Sequence, residues 1–364
     1  MKQTDHPPLV RDVSDLGDAY PSESDTGLAA RTAALREHGD FTLAYNAAVH
    51  PGLEYFAPGL GGAADGFLAY RTVGPYTFAL GDPVAGPDVL PDLVRAFVGE
   101  KPQPIFVQAT DRTARVLNEL NFFVTDLGPD LRLDLPTYTL SGKPKEWLRY
   151  ASNWCGRRDY VVKEEASEDD LSAAEVLEVS EAWRSTLPPG TREVIFMNRP
   201  LVATPEPGVR RFVLRDAEGT LQNYVFFDPL YRDGRTIGYV TCIKRRRPEA
   251  PSLGEAAVMK HAIEVFKAEG REELRLGLSP LAGEADGGKP TNPYRENKLL
   301  ALAFRLGFQA GWINGRLYAL ANHAEYKRRF RGAEDRTYFA SRKYFNTRPI
   351  LALTRMMGVL GTGE

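Results

Sequence analysis

The feature that most constrains this chain is an order of helical and extended segments that occurs twice along its 364 residues. Between residues 145 and 306, apolar spacing predicts a helix, a strand, a helix, three strands, a helix, a strand and a final helix. Residues 41–135 carry a shortened version of the same order. Strands mixed with helices in this way exclude a helix bundle and a β-sandwich, so the predicted fold class is α/β or α+β.

Three short segments carry local predictions of their own. Phe41–Tyr45 is predicted to be a strand, and a turn at Gly128-Pro129 is predicted to join an antiparallel pair, Phe122–Leu127 and Leu131–Leu135. Lys244–Arg247 is predicted to be a basic loop between a strand and a helix, where four adjacent cations would hold phosphates. The alternative for these cations is a solvated loop.

The length and the local composition predict how the chain is divided. A chain of 364 residues is long for one core, and Pro, Gly and Ser cluster at residues 136–144. We therefore expect an acidic, disordered tail over residues 1–27 and an N-terminal lobe over residues 28–140. A C-terminal lobe is expected over residues 141–345, followed by an amphipathic tail over residues 346–364.

The charge is segregated along the chain. The formal net charge of −2 argues against a general nucleic-acid binder, but residues 323–364 hold nine basic and four acidic residues, interleaved with aromatic ones. This pattern suits an RNA or an anionic membrane surface, the alternative being a solvated helix face. The apolar residues of the tail over 346–364 are expected either to lie in a membrane interface or to pack back on the core.

Cysteine use and hydropathy bear on the compartment. Cys155 and Cys242 lack the spacing of a disulfide framework or a zinc site, so a reducing compartment and no metal are expected. The N-terminus does not resemble a signal peptide, and no apolar run approaches the roughly 18 residues of a membrane span. A cytoplasmic location is predicted, either free or peripheral at the inner face of the membrane.

Three passages together carry a resemblance to a known family. The first is Gly66–Arg71 followed by Leu80–Val84, the second is Leu276–Gly283, and the third is Tyr326–Phe330 with Arg336 and Tyr338 after it. In this order they resemble the C-terminal catalytic domain of phosphatidylglycerol lysyltransferases, over roughly residues 28–345. The resemblance implies tandem GNAT-like acyltransferase lobes with a tunnel between them. An aminoacyl-tRNA would enter from one side and an acceptor, usually a lipid headgroup, from the other, with no cofactor.

Two departures leave the acyl donor open. The family commonly has an acidic residue, two apolar residues and an arginine after the strand that precedes the crossover helix, but Thr241–Arg245 lacks the acidic residue. A carboxylate there would hold the donor's α-amino group. Pro251 stands where acetyl-CoA enzymes carry the Arg or Gln of their pyrophosphate loop, which argues against acetyl-CoA. Alternatives are an acyl-CoA-dependent GNAT N-acyltransferase and a non-catalytic module that binds RNA or anionic lipid.

Ten residues are predicted to form the site of an aminoacyl- or acyltransferase. Ser279 would donate a hydrogen bond to the reacting carbonyl or protonate the leaving group, unless Ser279-Pro280 simply ends a strand. Arg245 is the second predicted catalytic residue. For Asp82, a turn role before Pro83 is the alternative. The predicted substrate-binding residues are Arg71, Asp82, Arg246, Gly277, Lys327, Arg329, Arg336 and Tyr338.

Overall fold

The fold is given by a computed structural model that describes residues 25–59, 62, 65–187, 196–282, 292–309, 320–344 and 347–357. Most of the predicted acidic tail, residues 1–24, and the last residues of the predicted amphipathic tail, 358–364, lie outside the described residues. The described helices are α1 (Asp25–His38), α2 (Ala44–Val49), α3 (Leu90–Glu100), α4 (Asp111–Glu119), α5 (Glu146–Gly156), α6 (Ala173–Arg184), α7 (Gly254–Ala268), α8 (Lys298–Gln309), α9 (Leu320–Arg328) and α10 (Thr347–Met356).

The strands form one mixed sheet. They are β1 (Glu54–Phe56), β2 (Gly66–Val73), β3 (Tyr76–Leu80), β4 (Val84–Ala85), β5 (Pro104–Ala109), β6 (Phe123–Asp134), β7 (Val161–Glu164), β8 (Arg210–Arg215), β9 (Leu221–Arg232), β10 (Arg235–Arg246), β11 (Glu273–Leu278) and β12 (Ala333–Ser341). Their spatial order is β1-β2-β3-β5-β12-β6-β11-β10-β9-β8-β7, and β4 pairs with β2.

The sheet runs without a break from the first half of the chain into the second. β6 pairs antiparallel with β11, so the two halves meet through backbone hydrogen bonds. β12 lies between β5 and β6, so a segment near the C-terminus completes the first half of the sheet. The sequence did not predict β12. The division into lobes at residues 136–144 stays a prediction.

β6 corrects the prediction of two strands around a turn. Residues 123–134 form one strand that pairs with β12 on one side and β11 on the other. Gly128 has φ +132° within it, and a Cβ there would lie 2.3 Å from the carbonyl oxygen of Ser279. The Ser279 N–H donates to the carbonyl of Pro129 at 2.8 Å. Because Gly128 has no side chain, β6 can lie close to the backbone of Ser279, which follows β11. This contact explains why Gly128-Pro129, a pair typical of turns, lies inside a strand.

Two other local predictions are also wrong. Phe41–Tyr45 is not a strand, because α2 begins at Ala44 and its first five residues are buried. A short apolar run that is buried on all sides does not distinguish helix from strand by periodicity. Lys244–Arg247 is not a loop, because β10 continues through Arg246 and pairs with β9 up to Asn223. Three of the four cations therefore project from a strand.

Separate hydrophobic cores lie under different helices. Leu133, Phe227, Tyr239 and Phe266 belong to a core that α5 and α7 share, and the two helices also contact each other. A second core includes residues of α1 and α2, and α10 adds Leu353 and Met356 to it. These two side chains of the predicted amphipathic tail therefore pack on the core, while Leu351 remains exposed. No helix in the described ranges is long and apolar enough to span a bilayer.

Candidate functional site

The central strands of the second half of the sheet part from each other at one end. β10 and β11 pair in parallel at three positions, from Gly238 opposite Glu273 to Val240 opposite Arg275, and no later pair occurs among the described residues. Both strands continue, since β10 follows β9 to Arg246 and β11 reaches Leu278. The register of β10 against β9 shifts between Thr241 and Lys244, which bends the strand at the point of separation. The result is an opening between β10 and β11.

Lys327 of α9 lies at the β11 side of this opening. Its Nζ atom donates to the carbonyl oxygens of Gly277 at 3.0 Å and Leu278 at 2.7 Å, both at the end of β11 that β10 has left. Gly277 has φ +78°, and a Cβ on it would lie 3.7 Å from that Nζ atom. Burial, reinforced by the charge of Lys244, lowers the pKa of Lys327 to about 7. The amine is therefore close to half protonated at neutral pH.

A second charged pair lies at the β10 side. Lys244 forms an ion pair of 2.8 Å with Glu255 in the first turn of α7, and its Nζ lies 5.2 Å from the ring centre of Tyr326. Burial opposes ionisation of Glu255, but Lys244 outweighs it and the pKa of Glu255 is lowered. Burial, together with Lys244 and Lys327, lowers the pKa of His323 to about 4. The opening thus holds two amines, one carboxylate and a neutral imidazole.

Asp130 adds a buried acid that sequence reasoning missed. It lies opposite Leu278 in the β6–β11 register and is 3% exposed. Thr42 donates to one of its oxygens, Arg275 lies 3.8 Å away, and its Oδ1 has no hydrogen-bond partner within the described part of the chain. Burial raises the pKa of Asp130 against the influence of Arg275, Thr42 and Lys327. Its position in a Gly-Pro-Asp run, which is typical of a turn, concealed it.

Two acids from other segments lie near Cys242, where the sequence itself has none. Asp228 of β9 lies opposite Val240 of β10. The guanidinium of Arg199 forms ion pairs with the carboxylates of Asp228, at 2.8 Å, and Glu206, at 2.7 Å. Burial and the charge of Asp228 raise the pKa of Cys242, so its thiol stays protonated. Burial also raises the pKa of Glu206, to about 7, although Arg199 opposes the shift. Two carboxylates on one guanidinium leave this cluster with an excess of acid.

A cavity of about 320 Å³ adjoins this acidic cluster. Arg199 and Glu206 lie in its wall, together with Tyr45, Leu201 and Tyr231. The remaining wall comes mainly from α1, α2 and residues 200–207. An apolar wall with a few polar groups at one edge is typical of a small-molecule pocket.

Ser279 and the basic strand residues lie around the same opening. Ser279 directly follows β11 and is 5% exposed, with its backbone N–H bonded to Pro129 as described above. The guanidinium of Arg245 lies 3.7 Å from the ring centre of Trp183 on α6, and Arg246 is exposed at the end of β10. Their catalytic and binding roles stay predictions.

The other predicted site residues are distributed over the molecule. Asp82 is fully buried and accepts hydrogen bonds from the Thr110 N–H and the Arg112 Nε, each at 2.8 Å, so it ties a turn to α4. These contacts fit the turn role for Asp82, and binding of substrate by this residue stays a prediction. Arg71 lies on β2 and is half-buried, in the half of the sheet away from the opening.

Two of the C-terminal candidates, Arg336 and Tyr338, are neighbours on β12, and Arg329 lies on a different segment. Arg336 lies 3.2 Å from Asp126, and Tyr338 is buried edge-on against Tyr294 with ring centres 5.2 Å apart. Arg329 is exposed and lies 4.1 Å from the ring centre of Trp147. Of the ten predicted residues, the structure therefore brings Lys327, Gly277 and Ser279 together, with Arg245 and Arg246 on the neighbouring strand.

The family described as "Phosphatidylglycerol lysyltransferase, C-terminal" matches residues 32–341. The chain belongs to this family. A curated relative, the phosphatidylglycerol lysyltransferase of Bacillus subtilis (strain 168), is 23% identical over 220 residues, which are 59% of this chain and 25% of that protein. The matched region is thus a quarter of the length of the relative.

Two solved structures share the fold. L-PGS from Bacillus licheniformis has a TM-score of 0.72 at 21% identity, covering 91% of this chain and 96% of that one. A C-terminal domain from Agrobacterium fabrum, assigned as a lysylphosphatidylglycerol synthetase, has a TM-score of 0.70 at 18% identity, covering 92% and 98%. The resemblance on three short passages and the predicted α/β fold class are confirmed, and the family is named for a transferase.

Proposed function

We propose that this chain transfers an aminoacyl group from an aminoacyl-tRNA to a hydroxyl or amine of an acceptor, with a lipid headgroup as the first candidate. The opening between β10 and β11 is the proposed place of reaction. The observation that carries the proposal is Lys327, whose amine lies at this opening with a pKa of about 7 in a chain that belongs to a lysyltransferase family.

The reaction needs one proton to be moved and no covalent enzyme intermediate. The acceptor oxygen or nitrogen forms a bond to the ester carbonyl carbon of the aminoacyl group. The bond from that carbon to the ribose oxygen of the tRNA breaks, and the proton lost by the acceptor ends on the ribose oxygen. Holding both reactants in one opening can supply on the order of 7–11 kcal/mol of the barrier in favourable cases.

Lys327 has the chemistry to move this proton. A neutral amine has two N–H donors and one lone pair, and the carbonyls of Gly277 and Leu278 take both donors. The lone pair is then left to accept the acceptor's proton. The ammonium formed in this way stabilises the negative charge on the tetrahedral oxygen and returns the proton to the leaving ribose oxygen. A pKa near 7 lets one group do both at neutral pH.

The surrounding groups support an amino-acid donor. Asp228 and Glu206 share Arg199, so the cluster carries one net negative charge when Glu206, whose pKa is about 7, is ionised, and this charge would attract the α-ammonium of an aminoacyl group. This acid would replace the one missing at Cys242. Ser279 and Arg245 keep their proposed roles, as donors toward the reacting carbonyl and the tRNA phosphates. Gly277, Arg246, Arg336, Tyr338, Arg71 and Arg329 remain proposed binding residues.

The start of α7 argues against acyl-CoA as the donor. GNAT enzymes hold the CoA pyrophosphate at a helix N-terminus, where backbone N–H groups and the helix dipole attract anions. Here Glu255 occupies the first turn as part of the Lys244 pair, so a carboxylate is already there. Gly254 packs on β8, since a Cβ on it would lie 2.7 Å from Leu214 Cδ2. The glycine therefore serves packing of the helix on the sheet.

The test is a comparison of lipid and aqueous extracts by mass spectrometry. Lys343→Met is the matched control, because Lys343 is exposed and its amine donates to Gln103 Oε1 at 3.2 Å. Cells producing the wild-type protein or Lys343→Met should contain a lipid heavier by one aminoacyl residue. Cells producing Lys327→Met should lack it. A product in the aqueous fraction would instead identify a soluble acceptor. Equal amounts in the wild type and Lys327→Met, or no aminoacylated product in either, would refute the proposal.

A further inference from the structure

The outward face of α5 carries a row of aromatic and cationic side chains, of which Arg329 alone is already a proposed binding residue. The rings of Trp147 and Trp154 are half-buried and also pack on neighbouring rings of the core. Trp147, Tyr150 and Trp154 lie three and four residues apart, so they share one face of the helix. Tyr150 is 52% exposed. The guanidinium of Arg329 lies 4.1 Å from the ring centre of Trp147, and that of Arg158 lies 4.0 Å from the ring centre of Trp154. We call these five residues the α5 surface.

The two arginines of the α5 surface have no acidic partner among the described residues. No carboxylate pairs with Arg158 or Arg329 anywhere in the described ranges, whereas arginines such as Arg199, Arg210 and Arg215 each hold two carboxylates. A guanidinium that lies over an indole keeps its outer face and its N–H donors available. Such a group can stack on a base and bond a phosphate at the same time.

The charge around α5 points to an anionic partner. Residues 143–160 contain five cations and two acids, although the whole chain has a net charge of −2. Arg329 adds a further positive charge from the end of α9. A row of cations with aromatic side chains between them is how proteins bind single-stranded nucleic acid, because every base has a face that stacks.

A membrane fits this surface less well than RNA does. Between residues 143 and 160, Tyr150 is the one exposed large apolar side chain, and no aliphatic side chain protrudes there to enter a bilayer. The exposed leucines of the described helices are concentrated on α8, at Leu299, Leu302 and Leu306. α8 contributes to a different core from α5, through Leu300. The aliphatic and the aromatic–arginine surfaces are therefore separate.

We propose that the α5 surface binds the unpaired end of an RNA, by stacking bases on Tyr150 and on the Arg–Trp pairs while the arginines contact phosphates. This inference rests on the proposed function insofar as an aminoacyl-tRNA is the donor that presents such an end. The two arginine–tryptophan pairs are separated by about 10 Å along the helix, seven residues at 1.5 Å each. The surface therefore spans more than one nucleotide.

The experiment measures binding of a labelled single-stranded RNA of twelve nucleotides ending in ACCA, by fluorescence anisotropy. Tyr150→Ala and the double variant Arg158→Ala/Arg329→Ala should each weaken binding about 5- to 100-fold. The matched controls are Tyr344→Ala, whose ring is 51% exposed, and Arg95→Ala, whose side chain is 47% exposed. Both should bind like the wild type, and thermal melts confirm that every variant is folded.

Two further arms make the result specific. The same strand in a duplex should bind more weakly than the single strand, because paired bases cannot stack on the protein. Phosphatidylglycerol vesicles should bind the variants and the wild type equally. Unchanged RNA affinity in the variants, a preference for the duplex, or loss of vesicle binding alone would overturn the inference. Lys327→Met should bind RNA like the wild type. If this variant also failed to transfer the aminoacyl group, that result would bear on the proposed function and not on the α5 surface.

Discussion

At the scale of single residues, Lys327 and Asp130 show what a sequence can and cannot reveal about this site. Lys327 belongs to a basic run, and a role in binding substrate was predictable. The different positions of the three neighbouring cations were not predictable. Arg328 pairs with Glu334 and Arg329 lies on Trp147, whereas Lys327 is the one of these three that contacts the end of β11. Asp130 was hidden because its partners, such as Arg275, are distant in sequence.

The lowered pKa of Lys327 predicts the pH dependence of the reaction. Its pKa of about 7 means that the amine is protonated below that pH and neutral above it. If the neutral amine accepts the acceptor's proton, kcat/KM should rise about tenfold per pH unit below 7 and level off above it. His323 has a pKa near 4 and does not titrate in this window. Glu206 has a pKa of about 7 and does, so a rise with pH that persists in Lys327→Arg would belong to Glu206.

The measurement is the initial rate of transfer from aminoacyl-tRNA between pH 5.5 and 8, corrected for spontaneous ester hydrolysis. Lys327→Arg keeps a positive charge without titrating and should have a low rate with no rise near pH 7. A wild-type profile that is flat across this range, or one that falls with pH, would contradict the role of Lys327 as the base.

At the scale of elements, strands and helices with regular patterns were predictable, and the exceptions have physical reasons. β10, α7 and β11 appear where apolar spacing places them, within a few residues. β6 was divided in two because Gly128-Pro129 is a turn signal, yet the glycine serves contact with Ser279. β12 was missed because its first half is polar and only its last five residues are buried. β12 forms despite this weak apolar pattern because it pairs with β5 on one side and with β6 on the other.

Gly128 gives a direct test of how β6 supports the site. In Gly128→Ala, the new Cβ would lie 2.3 Å from the Ser279 oxygen at φ +132°, so both strain and a clash are expected. Urea unfolding should show a loss of about 2–5 kcal/mol. Gly219→Ala is the matched control, because Gly219 has φ +82° but no atom within 4 Å of its Cβ position.

The control should lose about 1–2 kcal/mol, from backbone strain alone. The difference between the two variants isolates the clash with the Ser279 carbonyl. If Gly128→Ala costs no more than Gly219→Ala, the segment after β11 moves freely away from β6, and the contact between Gly128 and Ser279 does not hold that segment in place.

At the scale of the whole molecule, one continuous sheet contains the opening between β10 and β11. The α5 surface and the exposed leucines of α8 are two separate surfaces outside it. Pairing between β6 and β11 joins the two halves of the sheet, and the next pair, β11 with β10, is the one that separates. A family resemblance on short passages predicted the fold class, and it named Gly277, Ser279 and Lys327, which lie at the opening, as site residues. It did not predict the α5 surface, because Arg329 and α5 come together only in three dimensions.

We expect aminoacyl transfer to take place at the β10–β11 opening with Lys327 as the proton carrier. The most direct test uses purified protein, tRNA charged with a mixture of radiolabelled amino acids, and phosphatidylglycerol vesicles, with the labelled lipid separated by thin-layer chromatography. The wild type and Lys343→Met should form labelled lipid, while Lys327→Met should form at least a hundredfold less, the size expected for loss of a general acid–base. Labelled lipid formed by Lys327→Met at the wild-type rate would contradict the account.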